Sequence, residues 1–191
     1  MASERPGALA SRMIPRLKRT PGIYLVGFMG SGKSTIGRRL AQELGWTFTD
    51  LDQDIESAQG RAISAIFEQD GEEAFRRMES DALAGRVSQV RAGTPMVLAL
   101  GGGAFAGQAN RDLLRDNGVS IWLDCPFDAL WERVSRATHR PLARDRRRFE
   151  ELYQARRSSY SLADCRIEVC GDNPLVAVTA ILDLPVFRSL T

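Results

Sequence analysis

A chain of 191 residues with 43% hydrophobic and 26% charged content suits one domain with its own core, in the range of ordinary soluble globular proteins. No apolar run approaches the roughly 20 residues of a membrane span, so no membrane association is predicted. The three cysteines, Cys125, Cys165 and Cys170, lack metal-ligand spacing, and one histidine argues against a zinc site, so a reduced, cytoplasmic protein is expected.

The net charge of +2 is unevenly spread. Residues 1–20 carry Arg5, Arg12, Arg16, Lys18 and Arg19 against Glu4, and Trp131 to Arg157 carries nine arginines against four carboxylates. The first stretch alternates Pro, Gly, Ala and Arg without sustained period and reads as a disordered basic tail. It lacks the apolar segment of a secretory signal. A transit peptide fits it weakly and a nucleic-acid arm more weakly still. One folded domain is expected over 21–191.

Ile23-Tyr24-Leu25-Val26 is a short β-branched and aromatic run, the pattern of a buried strand. It leads into Gly27-Phe28-Met29-Gly30-Ser31-Gly32-Lys33-Ser34-Thr35, a glycine, four free positions, then Gly-Lys-Ser. From Lys33 to Leu44, Ile36, Leu40 and Leu44 recur at helical spacing and Gly45 stops the helix. Strand, glycine-rich turn and helix N-terminus together make a phosphate cradle, because glycines let backbone N–H groups close around an anion at the positive helix end. Lys33 then reaches the β- and γ-phosphates and Ser34 places its hydroxyl on Mg²⁺. A dinucleotide fingerprint fits worse, since Lys-Ser-Thr-Ile follows Gly32 where a third glycine is needed. The chain therefore reads as a binder of a nucleoside triphosphate.

Trp46 to Thr49 reads as a second strand running into Asp50-Leu51-Asp52-Gln53-Asp54. Carboxylates just past a strand's C-terminal end lie where open α/β sheets bind ligands, so Asp50 and Asp52 address a metal and a substrate. The alternative is helix capping by Asp52 or Asp54. Ile63 to Phe67 reads as a short helix broken at Asp70-Gly71, before a longer one carrying Arg76, Arg77 and Glu79. Surface ion pairing is the ordinary fate of such arginines. Pro95 to Leu100 is an unbroken apolar run, the mark of a central parallel strand. Gly101-Gly102-Gly103-Ala104 follows, costly in chain entropy unless something approaches the backbone closely; a bare turn is the other reading. Val119 to Leu123 is a further strand, and Asp128 to Arg136 a helix with Leu130, Trp131 and Val134 on one face. Thr138 to Phe149 shows no apolar stripe and reads as a mobile loop or helix tip that can close and bring an arginine onto a transferring phosphoryl group. His139 reads as a solvated loop residue, and Arg146, Arg147 and Arg148 read as solvated charges on the loop's far side. Glu150 to Leu162 is predicted helical, Arg166 to Val169 a strand, and Asn173-Pro174 the start of a last helix with Val176, Ile181 and Leu182. Alternating strands and helices predict a three-layer α/β fold on a parallel sheet.

From Ile23 to the last helix the chain resembles the shikimate kinase family. The resemblance is carried by Gly27–Thr35, Asp50-Leu-Asp52 with Ile55-Glu56, Gly71-Glu72 with Phe75-Arg76, Gly101-Gly-Gly-Ala104, Arg140-Pro-Leu, and Arg156 four before Tyr160. It implies a P-loop fold of the nucleoside-monophosphate-kinase type with a five-stranded parallel sheet. It also implies transfer of the ATP γ-phosphate to the 3-hydroxyl of shikimate, in chorismate and aromatic amino-acid synthesis, with Mg²⁺. By the same resemblance, Gly30 to Thr35 (Gly30, Ser31, Gly32, Lys33, Ser34, Thr35) bind ATP. Ser34 holds Mg²⁺ with Asp50 behind it, and Arg133 and Pro174 flank the adenine. Asp52 contacts the shikimate hydroxyls as candidate base, and Arg76 and Arg156 clamp its carboxylate. Gly101, Gly102 and Gly103 lie against the substrate, and Arg140 is the phosphate-facing arginine of a lid at about 138–149, so Lys33, Asp52 and Arg140 form the catalytic set. The Arg140–Arg156 segment is a few residues shorter than usual in the family, with Ala143 where a second leucine is common. A monomer acting on ATP and shikimate, without nucleic acid or membrane, is expected. The rivals are a gluconate-type kinase of the same fold and a non-catalytic sensor of shikimate or ATP.

Overall fold

Five short strands, β1 (Gly22–Val26), β2 (Thr47–Asp50), β3 (Met96–Ala99), β4 (Val119–Asp124) and β5 (Cys165–Glu168), form one sheet in the order β2-β3-β1-β4-β5. All four pairings are parallel. The structure is a computed structural model that describes residues 21–136, 145–169 and 171–188. The tail of residues 1–20, Thr138, His139, Arg140, Ala143 and Cys170 lie outside the described residues.

Ile23, Tyr24, Leu25 and Val26 are all at most 1% exposed. Successive strand side chains point to opposite faces, so a strand buried at every position is covered on both. That is the three-layer arrangement expected from the apolar runs. β1 lies between β3 and β4; the connection from its end runs to β2 on one side, and that from β3 crosses to β4 on the other, so the two diverge there. A crevice opens at such a switch point, beyond the strands' C-terminal ends.

The first helix, α1 (Lys33–Leu44), buries Ile36, Gly37, Leu40 and Ala41 and ends at Gly45 in the left-handed conformation, φ 67°. Gly37 lets α1 lie close on the sheet, since a Cβ there would stand 2.5 Å from the Phe48 ring. In α2 (Leu51–Gln59) the cap is Asp50, not Asp52 or Asp54: its carboxylate accepts from the Asp52 N–H at 3.2 Å. β2 ends at that residue with extended backbone, so the helix begins one residue after the strand. The long helix α3 (Ile63–Arg91) contains the predicted break, Gly71 at φ 81° and ψ 171°.

A 3₁₀ turn (Ala104–Ala106) and α4 (Gln108–Arg115) fill a stretch for which the sequence pattern predicted no element. Next comes α5 (Phe127–Ser135), with Leu130 and Val134 buried. Helix α6 (Arg146–Tyr160) starts four residues before the predicted Glu150. Asp145 caps it, accepting from the Arg148 N–H at 3.1 Å. Phe149, read from sequence as part of a mobile loop, is fully buried. Its ring lies 5.0 Å from that of Phe28 and 5.4 Å from that of Trp131. One aromatic among arginines makes no stripe by itself; it becomes one only with Tyr153 a turn later on the same helix. Asn173 caps α7 (Pro174–Leu182), which buries Ala177, Val178 and Ile181 and leaves Val176, expected on its inner face, 60% exposed. A short α8 (Pro185–Arg188) follows.

Phe149 joins α6 to the glycine-rich loop, so Phe149→Ala should cost about 3–5 kcal/mol in denaturant unfolding, the usual range for emptying a buried aromatic site. A loss below about 1 kcal/mol would show that α6 is held elsewhere.

Candidate active site

The loop Gly27–Gly32 leaves β1 at the switch point and enters α1 without a capping side chain. Gly32 is the N-cap, left-handed at φ 88°, and makes no side-chain cap hydrogen bond. The first-turn N–H groups of α1 therefore lack the usual cap and sit at the positive end of the helix. Gly27 is required here by both conformation and space: its φ is 149°, and a Cβ would stand 2.7 Å from the Leu123 carbonyl oxygen. Lys33 Nζ donates to the carbonyls of Gly27 at 2.8 Å and Phe28 at 3.1 Å, folding its ammonium over the loop. Ser31 is 1% exposed, and its hydroxyl has no hydrogen-bond partner among the described residues. A buried hydroxyl without a partner, beside an uncapped helix start, is the donor set that a polyphosphate satisfies.

Ser34, one turn into α1, donates to Asp50 Oδ2 at 2.6 Å. The same carboxylate caps α2 through the Asp52 N–H. One side chain thus fixes both the hydroxyl next to the loop and the backbone that carries Asp52. The two hard oxygen donors, hydroxyl and carboxylate, have the chemistry Mg²⁺ takes.

Opposite the loop, the triple glycine passes between three side chains. A Cβ on Gly101 would collide with Asp52 Oδ1 and stand 3.0 Å from Glu79 Oε1; one on Gly102 would stand 2.5 Å from Arg156 Nη1; one on Gly103 would collide with the Arg76 guanidinium. Close approach is therefore what the glycines serve. What approaches is the chain's own Asp52, Arg156 and Arg76. The Tyr160 phenol donates to the Gly102 carbonyl at 2.6 Å and lies within hydrogen-bonding reach of Arg156. Arg76 donates to Glu79 at 2.9 Å and to Glu72 at 3.2 Å, so it is tied to its own helix as the ion-pair reading expected, yet it also lines the cleft.

The sequence reading gave neither Glu79 nor Tyr160 a place in the site, Tyr160 serving there only as a motif position. Glu79 is 1% exposed, and burial pushes its carboxyl above the usual range, against the pull of Arg76 and with a push from Asp52. Its position three residues after Arg76 on one helix was the available signal. Burial likewise raises the Tyr160 phenol.

At the far end of the cleft, Arg133 joins the glycine-rich loop to the turn before α7. It donates to the Gly30 carbonyl at 3.2 Å, the Gly171 carbonyl at 2.5 Å and Asp172 at 3.0 Å. Pro174 stands at the first position of α7 on the same wall. One cleft is thus lined by Gly30 to Thr35, Asp50, Asp52, Arg76, Gly102, Arg133, Arg156 and Pro174. Gly101 and Gly103 flank it through the contacts above, and Arg140 lies outside the described residues. Phe67 and Arg148 also line it. Arg148 was grouped by sequence with Arg146 and Arg147 as solvated charges on the loop's far side; all three are exposed on α6, and of the three Arg148 lines the cleft.

Because Glu79 titrates above its ordinary value of 4.5, folding favours its protonated form, and the associated stability is complete below that value and lost as pH rises through the raised one. The stability of the native chain minus that of Glu79→Gln, measured by urea unfolding from about pH 4 to about pH 8, should fall with pH and then level. A difference that rose with pH would mean that the Arg76 pair outweighs burial.

With this geometry in place, comparison with known proteins is informative. The shikimate kinase family profile matches residues 29–184. The shikimate kinase of Persephonella marina is 40% identical over 161 residues, covering 84% of this chain and 96% of its own. That of Caulobacter vibrioides is 45% identical over 168 residues, covering 86% and 82%. The solved shikimate kinase of Acinetobacter baumannii, in complex with shikimate, superposes with a TM-score of 0.82 at 34% identity, covering 93% of this chain and 99% of its own. The chain belongs to the shikimate kinase family.

Proposed function

We propose that the protein transfers the γ-phosphoryl group of ATP to the 3-hydroxyl of shikimate, giving 3-phosphoshikimate and ADP, a step of aromatic amino-acid synthesis. The observation that carries this reading is that one cleft is lined by a phosphate-binding loop and by Asp52, Arg76 and Arg156, the last three gathered on the triple glycine. Phosphoryl transfer asks for positioning and charge stabilisation more than covalent chemistry. Lys33 and the α1 N-terminus bind the polyphosphate and oppose the charge that develops on it. Ser34 and Asp50 would hold Mg²⁺, which, when bound, neutralises phosphate charge. Among the described residues no group of three or more His, Cys, Asp or Glu side chains forms a cage, as suits a metal carried in largely by phosphate and water. Asp52 accepts the proton of the attacking hydroxyl or orients it. Arg76 and Arg156 take the carboxylate of the acceptor, since a guanidinium fork matches a planar carboxylate.

Arg133 and Pro174 bracket the space for adenine, and Arg140 supplies a further phosphate-facing charge by family resemblance. All these residues come from one chain, so a monomer suffices. No helix among the described residues is long and apolar enough to cross a membrane, and the reading places the reaction in the cytoplasm with its ATP.

A coupled ADP-release assay with shikimate, quinate and gluconate tests the assignment. Shikimate should be strongly preferred and Lys33→Met should lose several orders of magnitude in turnover. Equal use of gluconate, or more than a tenth of native turnover in the variant, would overturn it. In direct binding, Arg76→Lys and Arg156→Lys should each weaken shikimate by about 10- to 150-fold, the worth of one charge-assisted pair, while ATP affinity without acceptor stays level. Parallel losses for both ligands would assign the two arginines to the fold instead.

A further inference from the structure

We infer that Arg148 is a nucleotide-binding residue, its guanidinium directed at the terminal phosphates of the donor from the α6 side of the cleft. The inference rests on the proposed reaction and adds to it a residue that the sequence had placed among solvated charges.

Three observations converge on it. The first is position. Arg148, Leu152, Ala155 and Arg156 line the cleft from one face of α6. Eight residues of helix separate the two arginines, a rise of about 12 Å, longer than a monocyclic acceptor, so the two guanidiniums meet different ligands. Arg156 is fixed at the acceptor end by Gly102 and Tyr160. Phe149, next to Arg148, packs on Phe28 of the glycine-rich loop. That contact ties the start of α6 to the glycine-rich loop, while the Arg156 guanidinium, two turns on, lies 6.0 Å from the same Phe28 ring.

The second is pairing. Each other described cation of the cleft is engaged. Lys33 lies on loop carbonyls, Arg76 on Glu72 and Glu79, Arg133 on Asp172 and two carbonyls, and Arg156 reaches Tyr160. Beside Arg148, Arg146 pairs with Asp128 at 2.8 Å and Arg147 with Glu151 at 3.1 Å. Arg148 gives its backbone N–H to Asp145, and its side chain has no hydrogen bond or ion pair among the described residues. The nearest cleft carboxylate on its own helix, Glu151, is taken by Arg147.

The third is local cost. The first turn of α6 holds three arginines and no acid, the unfavourable sign for the positive end of a helix. Two of the three are compensated by carboxylates. Arg148 is an exposed, uncompensated cation at a helix start that lines the same cleft as the uncapped start of α1, and a polyanion between them would satisfy both. The donor's β- and γ-phosphates are the polyanion this cleft takes, and an arginine there opposes the charge that grows as the γ-phosphoryl leaves.

The test uses the full chain and three variants, Arg148→Ala, Arg148→Lys and Arg147→Ala, titrated calorimetrically with a β,γ-methylene ATP analogue, with AMP, and with shikimate alone. Arg148→Ala should weaken the ATP analogue roughly tenfold or more, as loss of a charge-assisted contact predicts, and move AMP and shikimate less than about twofold. Arg148→Lys should recover part of the loss, and Arg147→Ala should match the native chain. Raising ionic strength should narrow the gap between Arg148→Ala and native protein. If Arg148→Ala and Arg147→Ala bind the analogue alike, Arg148 is a solvated charge and the inference fails. It fails equally if shikimate affinity falls and nucleotide affinity does not. A native chain that phosphorylates another acid would overturn the acceptor assignment while these titrations still judge Arg148.

Discussion

The carboxylate of Asp50 is the joint on which the site depends. It stands where β2 ends and α2 begins, so its position is fixed by the sheet. One oxygen accepts from the first turn of α2, and the other from Ser34, one turn into α1. Two helices that start from different strands are thereby registered against each other by one side chain. Asp52 follows from that registration, because the capped N–H is its own. An apolar residue at 50 would leave both a helix start and a half-buried hydroxyl without their acceptor.

The triple glycine obeys a different constraint, that of room. Three consecutive residues without Cβ let Asp52, Arg156 and Arg76 close on one stretch of backbone. Behind them Glu79 is buried at the centre, with Arg76 and Arg156 lowering its affinity for a proton and Asp52 raising it. Glu79 holds Arg76 through an ion pair at 2.9 Å and acts on Arg156 through charge alone, at the expense of desolvating its own carboxyl. Arg76 is thus positioned by a group that does not line the cleft.

Helix α6 connects the two ends. Phe149 seats its start on the loop through Phe28, and Tyr160 seats its end on Gly102. Between them Arg157 makes a two-pronged bond to Asp124 at the end of β4, at 2.8 and 3.1 Å, with its guanidinium 5.0 Å from the Trp122 ring. Arg157 faces the sheet and its neighbour Arg156 faces the cleft, so the anchor of one sets the aim of the other. Rotating the helix by one residue would exchange them.

Much of this was legible in the residue order. The glycine-rich loop, the apolar strands and the break at Gly71 each depend on neighbours in the chain: φ > 0 needs glycine, and a strand buried on both faces needs an unbroken apolar run. For the same reason the pattern singled out Lys33, Ser34, Asp50 and Asp52, and motif order singled out Arg76 and Arg156, all of which line the one cleft. Local pattern did not reach Asp50 as the cap, the start of α6, the burial of Phe149 and Glu79, or the place of Arg148 on the cleft wall. Several of these turn on partners far away in sequence: Asp50 also takes the Ser34 hydroxyl, Phe149 packs on Phe28 and Trp131, and Glu79 lies in the field of Asp52 and Arg156. A run of arginines looks uniform along the chain because charge has no direction there. Only the helix, pinned at both ends, gives three adjacent guanidiniums different faces and therefore different chemistry.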